Sequence, residues 1–295
     1  MCAHPAIDAS VHTALMLQTV LGFEAADIGR CFLVSPTALA QRLVRAKRKI
    51  KDTRIAFVIP DRSVMAERLG AVLEAVYGAY ALDWLHEADV RDMSVEAAYL
   101  AGLLAELLPN EAEVLGCAAL IAYAHARRKA RVREGRFVPL LEQDVAAWDM
   151  RLIMQADEWL KRAAQLRKLG RFQLEAAIQQ AHICGVETGT QDWQGLLHLT
   201  EGLCRFWPTT GAEVSRAAII AELAGPQVGL DLLDAIAARQ PQDFQPLQAT
   251  RAHLLVRLGR KAEAETAYRS AIALSLEPLL RRWLEGKLTA LLGDP

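Results

Sequence analysis

Apolar residues along this chain recur every three or four positions rather than every two. Leu15, Val20 and Leu21 mark one such face, and Leu73, Val76, Tyr77 and Tyr80 mark another, the spacing that puts side chains on one stripe of an α-helix. Sustained alternation is nearly absent. One strand-like stretch, Ile55-Ala56-Phe57-Val58-Ile59, is closed by Pro60 and reads as an extended linker between regions of different character. Asp61 then looks like the N-cap of a helix running to about Leu85, and Gly135 and Pro139 break a charged segment at 131–139. The expected fold class is all-α. A small helix-turn-helix module fills 1–52, a linker 53–62, and a large helical body 63–295.

That body carries an internal repeat. Residues 252–274 read AHLLVRLGRKAEAETAYRSAIAL: an apolar helix, a Leu258-Gly259-Arg260 turn, then Ala264, Tyr268, Ala271 and Leu274. Thirty-four residues earlier Gly225 holds the same place, followed by Leu230, Ile236 and Pro241. A glycine turn between helices that pack through small residues, at this period, resembles a tetratricopeptide repeat, clearest at 245–278. Such hairpins stack into a curved body with a concave face, which suits a protein partner. A third turn, Leu169-Gly170-Arg171, is out of phase with both.

In the N-terminal module, residues 24–32 form a short amphipathic helix with Ile28 and Phe32 inward and Gly29 where a second helix could cross closely. Leu33-Val34-Ser35 makes a tight turn, Ser35 is a good N-cap, and Pro36 is a favoured first helical residue. The second helix turns Leu39, Leu43 and Ile50 inward and leaves Thr37, Ala38, Gln41, Arg42 and Arg45 outward. This is a helix-turn-helix, whose second helix presents its N-terminal side chains to base edges in the major groove.

Charge strengthens that reading. Lys+Arg (34) and Asp+Glu (35) nearly cancel over 295 residues, which excludes a uniformly basic nucleic-acid-coating protein. Yet residues 42–54 hold seven basic residues against the single acid Asp52, so this segment is +6 and the rest of the chain about −7. A basic stripe on and just beyond a recognition helix is what phosphate neutralisation requires, whereas a charge run alone reads as a solvated helix face. Thr37, Gln41 and Arg42 could read bases; Arg45, Lys47, Arg48 and Lys49 suit phosphates or an acidic partner; Ala38 offers little to read.

The segment from Ala3-His4-Pro5 through Phe23 and the run AQRLVRAKRKI at 40–50 resemble region 4 of extracytoplasmic-function (ECF) RNA polymerase sigma factors, of the group with a tetratricopeptide-like C-terminal extension. The resemblance continues through Leu107-Leu108-Pro109, Glu113-Val114-Leu115-Gly116, Leu141-Glu142-Gln143-Asp144 with Trp148-Asp149, Gln173-Leu174, Ala176-Ala177-Ile178 with His182, Asp192-Trp193, Arg216-Ala217 and the last repeat. It implies that region 4 binds the −35 promoter element and core RNA polymerase, so the implied partners are promoter DNA and the polymerase flap. Family members carry region 2 ahead of region 4. This chain has no room for it, is expected to be part of a longer protein or a truncated product, and alone should not initiate transcription. The family's Asp-Thr-Asp-Trp and Asn-Arg-Ala runs are replaced here by Thr190-Gln191-Asp192-Trp193 and Ser215-Arg216-Ala217.

Other chemistry is weaker. His182, Asp144, Asp149, Asp192 and Arg216 could be imagined as an acid–base cluster, but no nucleophile elbow, Gly-rich phosphate loop or metal-ligand pair accompanies them, and polar residues beside Trp148 and Trp193 more often cap helices. The reading is of no enzyme and no cofactor. Cys2/His4 and His182/Cys184 lack a second pair at zinc-site spacing, so buried thiols and satisfied histidines are expected rather than a metal. The run His125, Arg127, Arg128, Lys129, Arg131 and Arg133 reads as an exposed loop. Five scattered cysteines, no signal peptide, and a longest apolar run of 114–124 suit a cytoplasmic protein with no membrane partner. The competing reading is a stand-alone helical-repeat scaffold whose helix-turn-helix packs against the body and binds no DNA.

Overall fold

The computed structural model describes residues 1–32, 34–55, 64–83, 93–239 and 244–293. The strand-like 56–59, Pro60, Asp61, Leu33, Leu85 and Pro241 therefore lie outside the described residues. Among the described residues the fold is all-α, with fourteen α-helices and one two-stranded hairpin. The chain forms two compact units, Met1–Leu108 and Pro109–Pro295.

The first unit comprises α1 (His12–Thr19), α2 (Ala25–Cys31), α3 (Pro36–Asp52), α4 (Met65–Asp83) and α5 (Met93–Leu107). Helices α1, α2 and α3 pack on one another, and α4 closes over α1 and α2. Leu15, Leu17, Ile28, Leu39, Leu43, Leu73 and Val76 are buried there, each removing apolar surface worth about 1.5–3 kcal/mol. Two inward expectations fail. Val20 is exposed just beyond the C-terminal end of α1, and Phe32 is 38% exposed, its ring resting against Gly78 on α4. Helix α5 buries the small stripe Ala97, Ala101 and Ala105, so it can approach α4 closely.

The second unit is built on α6 (Ala112–Ala126), buried on almost every turn and flanked by α7 (Met150–Gln165) and α8 (Arg171–Thr188). A Cβ at Gly116 would lie 2.7 Å from the backbone nitrogen of Gln173, so glycine is what lets the start of α8 cross α6. From α8 onward the helices α9 (Trp193–Phe206), α10 (Thr210–Ala224), α11 (Pro226–Ala237), α12 (Gln245–Arg257), α13 (Lys261–Leu274) and α14 (Pro278–Leu292) pack each on the one before. Both glycines of the 34-residue period sit in the turns, with φ +99° at Gly225 and +72° at Gly259, conformations that side-chain-bearing residues avoid. Gly170 is a glycine for a different reason. Its φ of −145° is ordinary, but the Glu113 carboxylate occupies the space a Cβ would fill.

Between α6 and α7 the segment expected as an exposed loop is exposed over 132–136 but forms regular structure. Strands β1 (Val132–Arg133) and β2 (Arg136–Phe137) form a hairpin whose turn residues, Glu134 and Gly135, both have positive φ, the conformation a two-residue hairpin turn demands. The last helix returns to it. Phe137 meets Trp283 of α14 edge to face at 5.9 Å, and Arg131 pairs with Glu277 at 2.9 Å with both side chains largely buried.

Candidate nucleic-acid interface

Helix α3 is positioned from both ends. The Ser35 hydroxyl accepts from the backbone N–H of Ala38 at 3.5 Å, and Pro36 occupies the first helical position. At the far end the Thr53 hydroxyl donates to the Lys49 carbonyl at 2.6 Å, and Lys49 and Lys51 complement the negative end of the helix dipole. A Cβ at Gly29 would fall 2.9 Å from the Val34 carbonyl oxygen, so α2 bears directly on the turn that launches α3. Leu39, Leu43 and Ala46 fix one face inward, while Ile50 is half-buried.

The opposite face is open. Thr37, Ala38, Gln41, Arg45, Lys47, Arg48 and Lys49 are all exposed. At 100° per residue, Thr37, Gln41, Arg45 and Arg48 lie along one line directly away from Leu39, Leu43 and Ala46. Arg48 has Asp52 at 3.5 Å, both well exposed; Arg45, Lys47 and Lys49 have no acidic partner among the described residues. Val44, absent from the expected outward set, is 66% exposed on the same face and adds an apolar contact of the kind that meets a thymine methyl. Its signal is the helical wheel: it falls at the margin of that face, about 20° beyond Thr37 and about 130° from the core stripe.

Arg42 differs from its neighbours. It is half-buried and donates to the carbonyl oxygen of Ser10 at 3.5 Å and to the Ser10 hydroxyl. The Ser10 hydroxyl donates to Asp8 Oδ1 at 2.6 Å, which also accepts the Ser10 N–H at 2.9 Å. These bonds, the hydroxyl first, hold the Asp8 carboxyl below its ordinary range, with the Arg42 charge adding to them. Arg42 is thus a tethered cation, suited to a phosphate rather than to reading a base.

The three aspartates of the imagined acid–base set cap helices or turns. Asp149 caps α7 through the N–H groups of Arg151 and Leu152, Asp192 caps α9 through Gly195, and Asp144 caps a short turn at Ala146. Burial pushes the His182 imidazole below its ordinary pKa, against a hydrogen bond with Gln191; Gln191 itself lies over Gly185. Among the described residues no group of three His, Cys, Asp or Glu is placed to hold a metal ion. Cys184, expected buried, is exposed.

The second basic run divides: Arg128, Lys129 and Arg133 are exposed as expected, while Arg127 and Arg131 turn inward. Arg127 is buried, donating to the Tyr123 carbonyl at 3.2 Å and to Gln179 at 2.7 Å, and Arg131 is the partner of Glu277. These cations hold helices together, and their charge faces inward. No helix among the described residues is long and apolar enough to cross a membrane.

Residues 68–164, from within α4 through nearly all of α7, match a family model described as a family of unknown function (DUF6596). The whole chain is 33% identical over 301 residues to "Uncharacterized protein R00370" of Rhizobium meliloti (strain 1021), covering 71% of that protein. No solved structure matches.

Proposed function

This chain belongs to the family of the Rhizobium meliloti protein R00370, and from the geometry of α3 we propose that it is the promoter-binding and regulatory part of an ECF sigma factor. In this reading α3 enters the major groove at the −35 element. Thr37 and Gln41 meet base edges, Arg42, Arg45, Lys47, Arg48 and Lys49 neutralise phosphates, and Ala38 permits close approach. The first unit also docks on the flap of core RNA polymerase, and the helical array regulates through a protein partner.

The observation that carries the reading is the outward line Thr37–Gln41–Arg45–Arg48 on a helix capped at its start and seated on a buried Leu39–Leu43–Ala46 stripe. The test is co-precipitation of the full chain with core RNA polymerase, alongside selection from a randomised duplex pool. Retention on polymerase and an enriched −35-like sequence are expected. Failure on both counts favours a scaffold that binds no DNA.

A further inference from the structure

A groove of about 550 Å3 lies between α7, α8 and α9, within the roughly 300–1,000 Å3 typical of small-molecule sites. Its floor is apolar, made by Leu160, Leu174, Ala177 and Leu199, and Leu169 stands at its edge 58% exposed. Its rim is cationic, formed by Lys161, Arg167 and Lys168.

The charge balance of the groove is one-sided. Its single carboxylate, Asp157, is engaged: Oδ1 accepts the Tyr123 hydroxyl at 2.5 Å and the Gln180 amide at 2.6 Å. Lys161 has only Glu158, at 3.9 Å with both side chains about two-thirds exposed, and such a pair holds little. Arg167 and Lys168 have no acidic partner among the described residues. The positive end of α8 is already taken, because Glu113 accepts from the N–H groups of Phe172 and Gln173 at 3.1 and 3.2 Å. Attraction for an anion here therefore comes from side chains.

The rim is also held in place. The Gln173 amide donates to the Lys168 carbonyl at 2.6 Å, and Arg167 occupies the left-handed region at φ +53°, where glycine would be the unstrained choice.

We propose that this groove binds a small organic anion with an apolar body. The acid group sits among Lys161, Arg167 and Lys168, and the hydrocarbon lies on Leu160, Leu174 and Leu199. The site is independent of α3 and stands whether or not the chain binds DNA.

The test uses the full chain and two matched series below their micellar limits: decanoate against decanol and decylammonium, and 2-naphthoate against 2-naphthylmethanol, by ligand-detected NMR titration. Each anion should bind roughly tenfold more tightly than its neutral partner, with the ammonium weakest. A Lys161→Glu/Lys168→Glu variant should abolish that preference with unchanged circular dichroism. Leu169→Ser, at an exposed position, should weaken both anions while keeping the preference. Equal binding of anion and alcohol, no binding of either anion, or a preference that survives the double charge reversal would each overturn the proposal.

Discussion

Helix α3 and the helical array use arginine in opposite ways. In the array three arginines are matched to acids distant in sequence: Arg131 to Glu277, Arg251 to Asp234 and Arg257 to Glu222. Along α3, Arg45, Lys47 and Lys49 face water with no acid answering them among the described residues. Those arginines serve cohesion, whereas the cations of α3 leave their charge available. The unit that holds α3 is itself −2, with 11 Lys+Arg against 13 Asp+Glu, so the positive excess is local to residues 42–54. What separates a binding surface from a structural one is the presence of a partner within the fold, which a local charge count does not register.

The sharpest way to break the contrast is to remove charge from each side. Replacing Arg42, Arg45 and Arg48 together by alanine should lower affinity for a promoter duplex by roughly 100-fold or more at low salt. The salt slope should shrink by about 2.7, at about 0.9 for each phosphate no longer neutralised. Helical circular dichroism should not change. In the array, Arg131→Ala removes a largely buried partner of Glu277 and should cost about 3–5 kcal/mol in denaturant unfolding, whereas Arg131→Met with Glu277→Leu should recover most of it. Equal effects of the single and double changes would show that the pair is not a closure contact. Glu113→Ala should cost about 1–2 kcal/mol by freeing the first N–H groups of α8, with DNA binding unaltered.

Smaller effects probe the edges of the contrast. Ser10→Ala releases Arg42 from its tether and should weaken duplex binding about threefold without altering Tm, a change read by anisotropy. The array should also respond to mild acid. Burial lowers the pKa of His182, so between that lowered value and the ordinary 6.5 the unfolded chain takes up a proton that the folded one refuses. Stability therefore falls as pH drops below about 6.5. A Tm loss of roughly 2–4 °C between pH 7.5 and 5.5 is expected, and His182→Gln should remove part of it.

The elements themselves are readable because helices are local. The three- and four-residue spacing marks them, Ser35-Pro36 starts α3, and Gly225 and Gly259 announce their turns by position and by the φ they adopt. What cannot be read depends on distant partners. Glu113 caps a helix 59 residues on, which explains both Gly116 and Gly170 as points of close approach. Arg131 finds Glu277 across 146 residues, so a run with the look of solvated charge is an internal clasp. Phe32 and Val20 are apolar on a helical stripe but reach its edge, where α4 and water meet them. On the outward face the gaps are Val44 and the tether on Arg42, the first visible on a helical wheel and the second made by a segment 32 residues away.

The most direct measurement is the salt dependence of binding by the intact chain to a fluorescent −35 promoter duplex, followed by anisotropy from 50 to 300 mM salt. With four to five phosphates met by Arg42, Arg45, Lys47, Arg48 and Lys49, log K should fall against log salt with a slope of about −4. No binding at 50 mM, or binding whose strength ignores salt, would contradict the assignment of α3 as a DNA-reading helix.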